Sequence, residues 1–157
     1  MLIELDHHDI ERTVLAAARV AMKAIRLKLK DTGPETTDQA RFTQHWRGAK
    51  AELAVSIHTG LPWHAEEQDW THDVGDLEVR SVDWYKRLEL RCTWKDEHKH
   101  DPAQKFVLAR VDGRFVELLG WSTLGLVVAR GERREWGHGL CWYMNAAQLH
   151  PIDTLLL

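Results

Sequence analysis

Between Asp73 and Ser81 the chain reads Asp-Val-Gly-Asp-Leu-Glu-Val-Arg-Ser, an alternation that commits it to a strand with two unlike faces. At a strand's two-residue period, Leu77 and Val79 point one way while Asp76, Glu78 and Arg80 point the other. The apolar face requires a core to pack on. The opposite face gathers two carboxylates and a guanidinium, and Asp73 adds a carboxylate just upstream of Gly75. Oxygens grouped in this way are hard ligands suited to Mg²⁺ or Mn²⁺. The same pattern also describes a solvated strand face carrying a surface ion pair.

At 157 residues the chain is expected to form one domain, with an N-terminal helix in 1–35 and the core in 36–157. The net charge of −3 argues against binding nucleic acid through bulk positive charge. Its distribution is uneven. Arg19, Lys23, Arg26, Lys28 and Lys30 form an acid-free run, Arg130, Arg133 and Arg134 a second cluster, and acids concentrate between Glu66 and Asp76. That suits a metal site flanked by phosphate contacts, or simply two solvated helix faces. No apolar run approaches the ~18 residues of a membrane span. The N-terminus, with Glu4, Asp6, His7 and His8, does not resemble a leader, so a cytoplasmic protein is expected. Cys92 and Cys141 lack a paired spacing and read as core thiols.

Residues 9–30 predict an amphipathic helix with Asp9 as N-cap, a stripe of Val14, Ala17, Ala18, Ala21, Met22 and Ile25, and a stop at Asp31-Thr32-Gly33-Pro34. A second helix is predicted from Thr37 or Asp38 to His58, closed by Thr59-Gly60-Leu61-Pro62. Its stripe mixes Phe42, Trp46, Ala49, Leu53, Val55 and Ile57. Gly48 in its middle suggests close approach of another backbone, and Glu52 lies one turn further on the same face. Residues 61–72 read as a polar, aromatic loop. Residues 77–84 and 88–94 predict an antiparallel hairpin, followed by a charged loop over 95–104. Strands at 106–111 and 115–121 are joined by an Asp112-Gly113 turn. A short apolar segment at 124–130 is compatible with a helix. A polar loop at 131–139, a last strand at 140–144 and a 3₁₀ piece at 146–149 complete the chain. Helices followed by a meander give an α+β fold, with N-terminal helices packed on a central mixed, mainly antiparallel sheet.

Ten histidines show no HExxH or paired zinc spacing. His72 adjoins Asp73 and reads as a plain loop residue or an aid to the site. Of eight tryptophans, Trp84, Trp94, Trp121 and Trp142 fall on predicted strands, while Trp63 and Trp70 precede the acidic strand, where they pack or stack on an unpaired base. No phosphate-binding glycine loop or serine elbow occurs.

Four stretches in order, Gly48-Ala49-Lys50-Ala51-Glu52, Asp73 to Ser81, Lys105-Phe106-Val107-Leu108-Ala109, and Leu119-Gly120-Trp121 with Trp142-Tyr143-Met144, resemble the PD-(D/E)xK nuclease superfamily, in particular its small phage-type members. The resemblance spans about residues 45–150. It implies a restriction-endonuclease-like fold and Mg²⁺- or Mn²⁺-dependent hydrolysis of DNA in a bacterial or phage-infected cytoplasm, with a homo-oligomer as one arrangement. It implies Glu52, Asp73 and Glu78 as metal ligands, Asp76 being the rival to Asp73, and Arg80 at the position of the family's lysine. Arginine keeps its proton and cannot serve as a base. That leaves an altered enzyme, a site lysine drawn from elsewhere such as Lys50 or Lys95, or a nuclease fold that binds nucleic acid or a protein without cleaving. A purely structural phage or accessory protein is the third reading.

Overall fold

The computed structural model describes residues 1–26, 37–65, 73–136 and 139–156. Strand β1 (Leu2–Glu4) leads into helix α1 (His7–Arg26), and helix α2 (Asp38–Thr59) packs back along α1. The buried side of α1 is made of Thr13, Ala16, Ala17 and Ala21, small enough for the two helices to lie close. The Trp46 indole N–H donates to the Thr13 hydroxyl at 3.1 Å across that seam. Met22, expected in the buried stripe, is exposed, as is Ile57 of α2.

Capping sets the helix ends. Asp6, not Asp9, caps α1: the Asp9 N–H donates to Asp6 Oδ1 at 2.8 Å, while Asp9 Oδ2 accepts from the Asp6 N–H at 3.3 Å. Thr37 caps α2 through Ala40 N–H, and Gly60 ends it with a φ of 72°. The predicted end of the first helix and its stop at Asp31–Pro34 lie outside the described residues, as do Lys28, Lys30, Glu66, Trp70 and His72.

Strands β2 (Glu78–Asp83), β3 (Glu89–Thr93), β4 (Lys105–Asp112), β5 (Phe115–Thr123), β6 (Glu132–Trp136) and β7 (Gly139–Asn145) form two sheets, with helices α3 (Trp94–Lys99) and α4 (Leu124–Arg130) between them in the chain. The first sheet has the order β1-β5-β4-β2, antiparallel except for the parallel β4–β2 pair. The second is an antiparallel β3-β7-β6. The protein is therefore α+β, with helices on a mixed, mainly antiparallel sheet. No helix of the described residues is long and apolar enough to cross a membrane.

Strand β4 is shared by two cores. Val107, Ala109 and Val111 join Leu53, Val55, Leu77, Val79 and Leu118 on the α2 side. Phe106 and Leu108 point the other way, into Leu90, Cys92, Leu124, Val127, Trp142 and Met144. Both cysteines are buried, unpaired thiols.

Three expectations are corrected. The predicted hairpin 77–94 does not form: β2 runs parallel to β4, with Glu78 opposite Phe106, and β3 pairs with β7 instead. No tight-turn pair such as Asn-Gly joins residues 84 and 88, so nothing local holds the two strands together, and Leu90 and Cys92 find their core against Trp142 and Met144. The charged loop 95–104 contains α3, because Thr93 and Asp96 form a reciprocal capping box. The polar loop 131–139 contains β6, an edge strand whose Glu132 and Arg134 alternate as an ion pair at 2.5 Å rather than as an apolar pattern.

Candidate functional site

Asp73 is held by a tight turn. Leu77 and Val74 exchange backbone hydrogen bonds at 2.8 and 3.2 Å, and Gly75 adopts a φ of 54° under Leu61. The turn folds the Asp73 carboxylate back onto the start of β2, where Oδ2 accepts the Val79 N–H at 2.7 Å. Asp76 is exposed on the turn, so Asp73 is the aspartate that stands beside Glu78 and Arg80.

The alternation along β2 holds. Val79 enters the first core, whereas Glu78 and Arg80 face Phe106, whose ring lies 4.9 Å below the Arg80 guanidinium. This face is not solvated, since Glu78 is only 5% exposed. Arg80 stands among carboxylates: Nη1 is 3.3 Å from Glu78 Oε2 and 3.9 Å from Asp73 Oδ2, and Nη2 is 2.9 Å from Asp96 Oδ1. Burial by itself would lower the pKa of the guanidinium, but Asp96, Glu78 and Asp73 outweigh it and raise it. His100, at the end of α3, places Nε2 3.6 Å from Glu78 Oε1. Asp96 and His100 were not expected at the site. The signal that could have found Asp96 is the Thr93-x-x-Asp96 spacing, which starts a helix.

Glu52 reaches the same region from α2 and accepts the Trp63 indole N–H at 3.0 Å. Trp63 is thus a packing residue, with Arg12 5.3 Å above its ring. Burial first, then the Asp73 and Glu78 charges, push the Glu52 carboxyl up to about 8. Asp73 is raised as well, by burial and by Glu78, and is partly held down by Val79 N–H, Arg80 and Lys99.

Neither lysine considered from the sequence replaces Arg80 as expected. Lys50 is buried on the far side of α2, donating to the Gly113 carbonyl at 2.7 Å and lying 4.0 Å above the Trp46 ring. Lys95 is exposed on α3. The lysine whose charge is felt at Asp73 is Lys99.

Glu52, Asp73 and Arg80 help to line a cleft of about 1020 Å³. Around the cleft stand six cations, Arg47, Arg80, Lys86, Arg87, Arg91 and Arg134, against three carboxylates, Glu52, Asp73 and Glu89. Some are engaged: Arg47 pairs with Asp83, and Arg134 holds Glu89 at 2.8 and 2.9 Å while stacking 4.5 Å from Tyr143. Gly48 also faces the cleft. The expected close backbone is missing, because a Cβ at Gly48 would meet only Glu52 Oε1, at 3.6 Å. A mid-helix glycine costs about 1 kcal/mol relative to alanine, and here it leaves the cleft wall open.

Glu52, Asp73 and Glu78 fit a divalent cation in chemistry: they are hard oxygen donors, half-buried or buried, and their charges repel one another. They are not gathered around one point. Among the described residues, no three His, Cys, Asp or Glu side chains form a metal-holding group as they stand. Glu52 is turned to Trp63 and Glu78 to Arg80. No family model, curated protein or solved structure matches this chain.

Proposed function

We propose that the cleft hydrolyses phosphodiester bonds of DNA with Mg²⁺ or Mn²⁺, as a nuclease of the PD-(D/E)xK kind. The observation that supports this most is the set of mutually repelling carboxylates at the cleft and just behind it. Glu52 and Asp73 line the cleft half-buried, Glu78 lies buried behind Asp73, and Glu52 is pushed up to about 8. Groups perturbed this far by burial and like charge, and sited in a cleft, are characteristic of working sites. In this reading Glu52, Asp73 and Glu78 hold the cation, which when bound supplies positive charge at the scissile phosphate and acidifies water. Arg80 keeps its proton and therefore orients the phosphate and the carboxylates rather than acting as a base. The cations around the cleft offset phosphate charge despite the net charge of −3.

A second reading, a DNA-binding module without turnover, is favoured by Arg80 itself. Its guanidinium already balances Glu78, Asp73 and Asp96, so the acidic cluster is neutralised from within. Cleavage of single- and double-stranded DNA by wild type and Glu78→Gln, in Mg²⁺, in Mn²⁺ and in EDTA, separates the two. Metal-dependent cleavage that the variant loses supports the nuclease; salt-sensitive binding without cleavage supports the module.

A further inference from the structure

Strand β2 ends in a β-turn, Asp83-Trp84-Tyr85-Lys86, closed by the Lys86 N–H donating to the Asp83 carbonyl at 3.0 Å. Arg47 of α2 anchors Asp83. Trp84, read from the sequence as a strand residue, thus stands with Tyr85 at the two central positions of the turn. Both rings are in solvent, 60% and 67% exposed, and no other Phe, Tyr or Trp of the described residues is exposed as far. They meet edge to face with ring centres 6.0 Å apart, so they lean on each other rather than on a core. Two exposed cations follow, Lys86 and Arg87, and both line the cleft that holds Glu52 and Asp73. The neighbouring acids are already committed, Asp83 to Arg47, and Glu89 and Glu132 to Arg134. The turn therefore presents flat apolar rings beside positive charge that no ion pair of the described residues takes up.

We propose that this turn is a stacking platform for single-stranded DNA, with Trp84 and Tyr85 taking an unpaired base and Lys86 and Arg87 the phosphates beside it. The inference rests on reading the adjoining cleft as a DNA site and adds a binding element outside it. A duplex hides its base faces in the stack and offers only phosphates and groove edges along its sides. A single strand exposes those faces, and an aromatic ring stacks on any of them whatever the base. Charge decides against an apolar protein surface as the occupant. Such a surface would cover the rings but strip water from two cations without supplying a counter-charge, whereas a strand carries a phosphate on each side of every base.

The test is fluorescence anisotropy in EDTA, which prevents metal-dependent cleavage, with three labelled probes: a short thymidine oligonucleotide, an abasic strand of the same length, and the blunt duplex of the oligonucleotide with its complement. The intact strand is expected to bind about tenfold more tightly than the abasic one. Trp84→Ala should remove most of that difference, leave the salt slope unchanged and leave duplex binding within about twofold of wild type. Trp84→Phe, which keeps a ring, should restore most of it. Lys86→Ala should instead lower the salt slope by about one. Should Trp84→Ala fail to fold, Tyr85→Ala serves in its place with the same expectation. Intact and abasic strands that bind alike, or no strand binding, overturn the inference. So do strand binding untouched by these aromatic substitutions, an equal loss for strand and duplex, and an unchanged salt slope in Lys86→Ala. The outcome is separable from that of the nuclease reading. Base-dependent binding that Trp84→Ala loses, without Mg²⁺-dependent cleavage, keeps the platform and removes the chemistry. Metal-dependent cleavage by a protein whose strand binding ignores the bases does the reverse.

Discussion

Arg80 Nη2 lies 2.9 Å from Asp96 Oδ1, and this pair ties the strand that carries the acidic cluster to helix α3. The other Asp96 oxygen accepts the Thr93 N–H at 2.7 Å and the Thr93 hydroxyl at 2.9 Å. One carboxylate therefore caps a helix and fixes the guanidinium that organises the site.

Asp96→Ala should accordingly destabilise the protein by about 2–3 kcal/mol, below the figure for a fully buried pair because Arg80 is partly exposed, with about 1 kcal/mol of it from the lost cap. Asp96→Asn, which retains the cap acceptor, should lose roughly half as much. Urea unfolding checks both, through a lower midpoint at unchanged slope.

Glu52 predicts a pH dependence. Its folded pKa of about 8 lies above the ~4.3 of an unfolded glutamate, so the folded state binds the extra proton between those values. Stability therefore falls as pH rises through that window and levels off above it. Glu52→Gln removes the effect. Its melting temperature should match wild type near pH 4, exceed it increasingly toward pH 8, and correspond there to a gain on the order of a few kcal/mol. Equal melting temperatures at both ends would mean that Glu52 is solvated.

Burial in the second core pushes the Cys92 thiol up to about 12, whereas Cys141, also buried, lies on the other face of β7 at the cleft wall. Cys92 should react with a disulfide reagent such as Ellman's only as fast as the protein unfolds. Rapid labelling of Cys92 in native buffer would contradict its burial in the second core.

How far the sequence reveals this fold depends on whether the controlling contact is local. The two helices, the Asp112-Gly113 hairpin and the last strand follow from periodicity, caps and turn residues, all read within a few positions. The partner of β2 does not. Phe106 lies opposite Glu78 across a crossover, and nothing near residue 84 shows that β3 leaves for another sheet. The site divides in the same way. Alternation along β2 marks Glu78 and Arg80, whereas Asp96 and His100 reach them only through the docking of α3. Lys50 shows the converse: its place in a nuclease-like stretch points to the site, but its turn of α2 points to Gly113.

Lys50→Met should therefore leave DNA binding and any cleavage within about twofold of wild type, since the ammonium lies on the far side of α2. A clear loss of either, in a folded variant, would return a lysine to the site.

The most direct measurement of the central proposal is calorimetric titration of Mn²⁺ and Mg²⁺ into wild type and Glu78→Gln near pH 7, repeated in buffers of different ionisation enthalpy. If Glu52, Asp73 and Glu78 hold the cation, wild type binds and releases about one proton, because Glu52 must give up the proton that burial keeps on it. Glu78→Gln should bind at least tenfold more weakly. Absence of binding heat with both metals in wild type would contradict the proposal, leaving Arg80 as the cluster's own counter-charge.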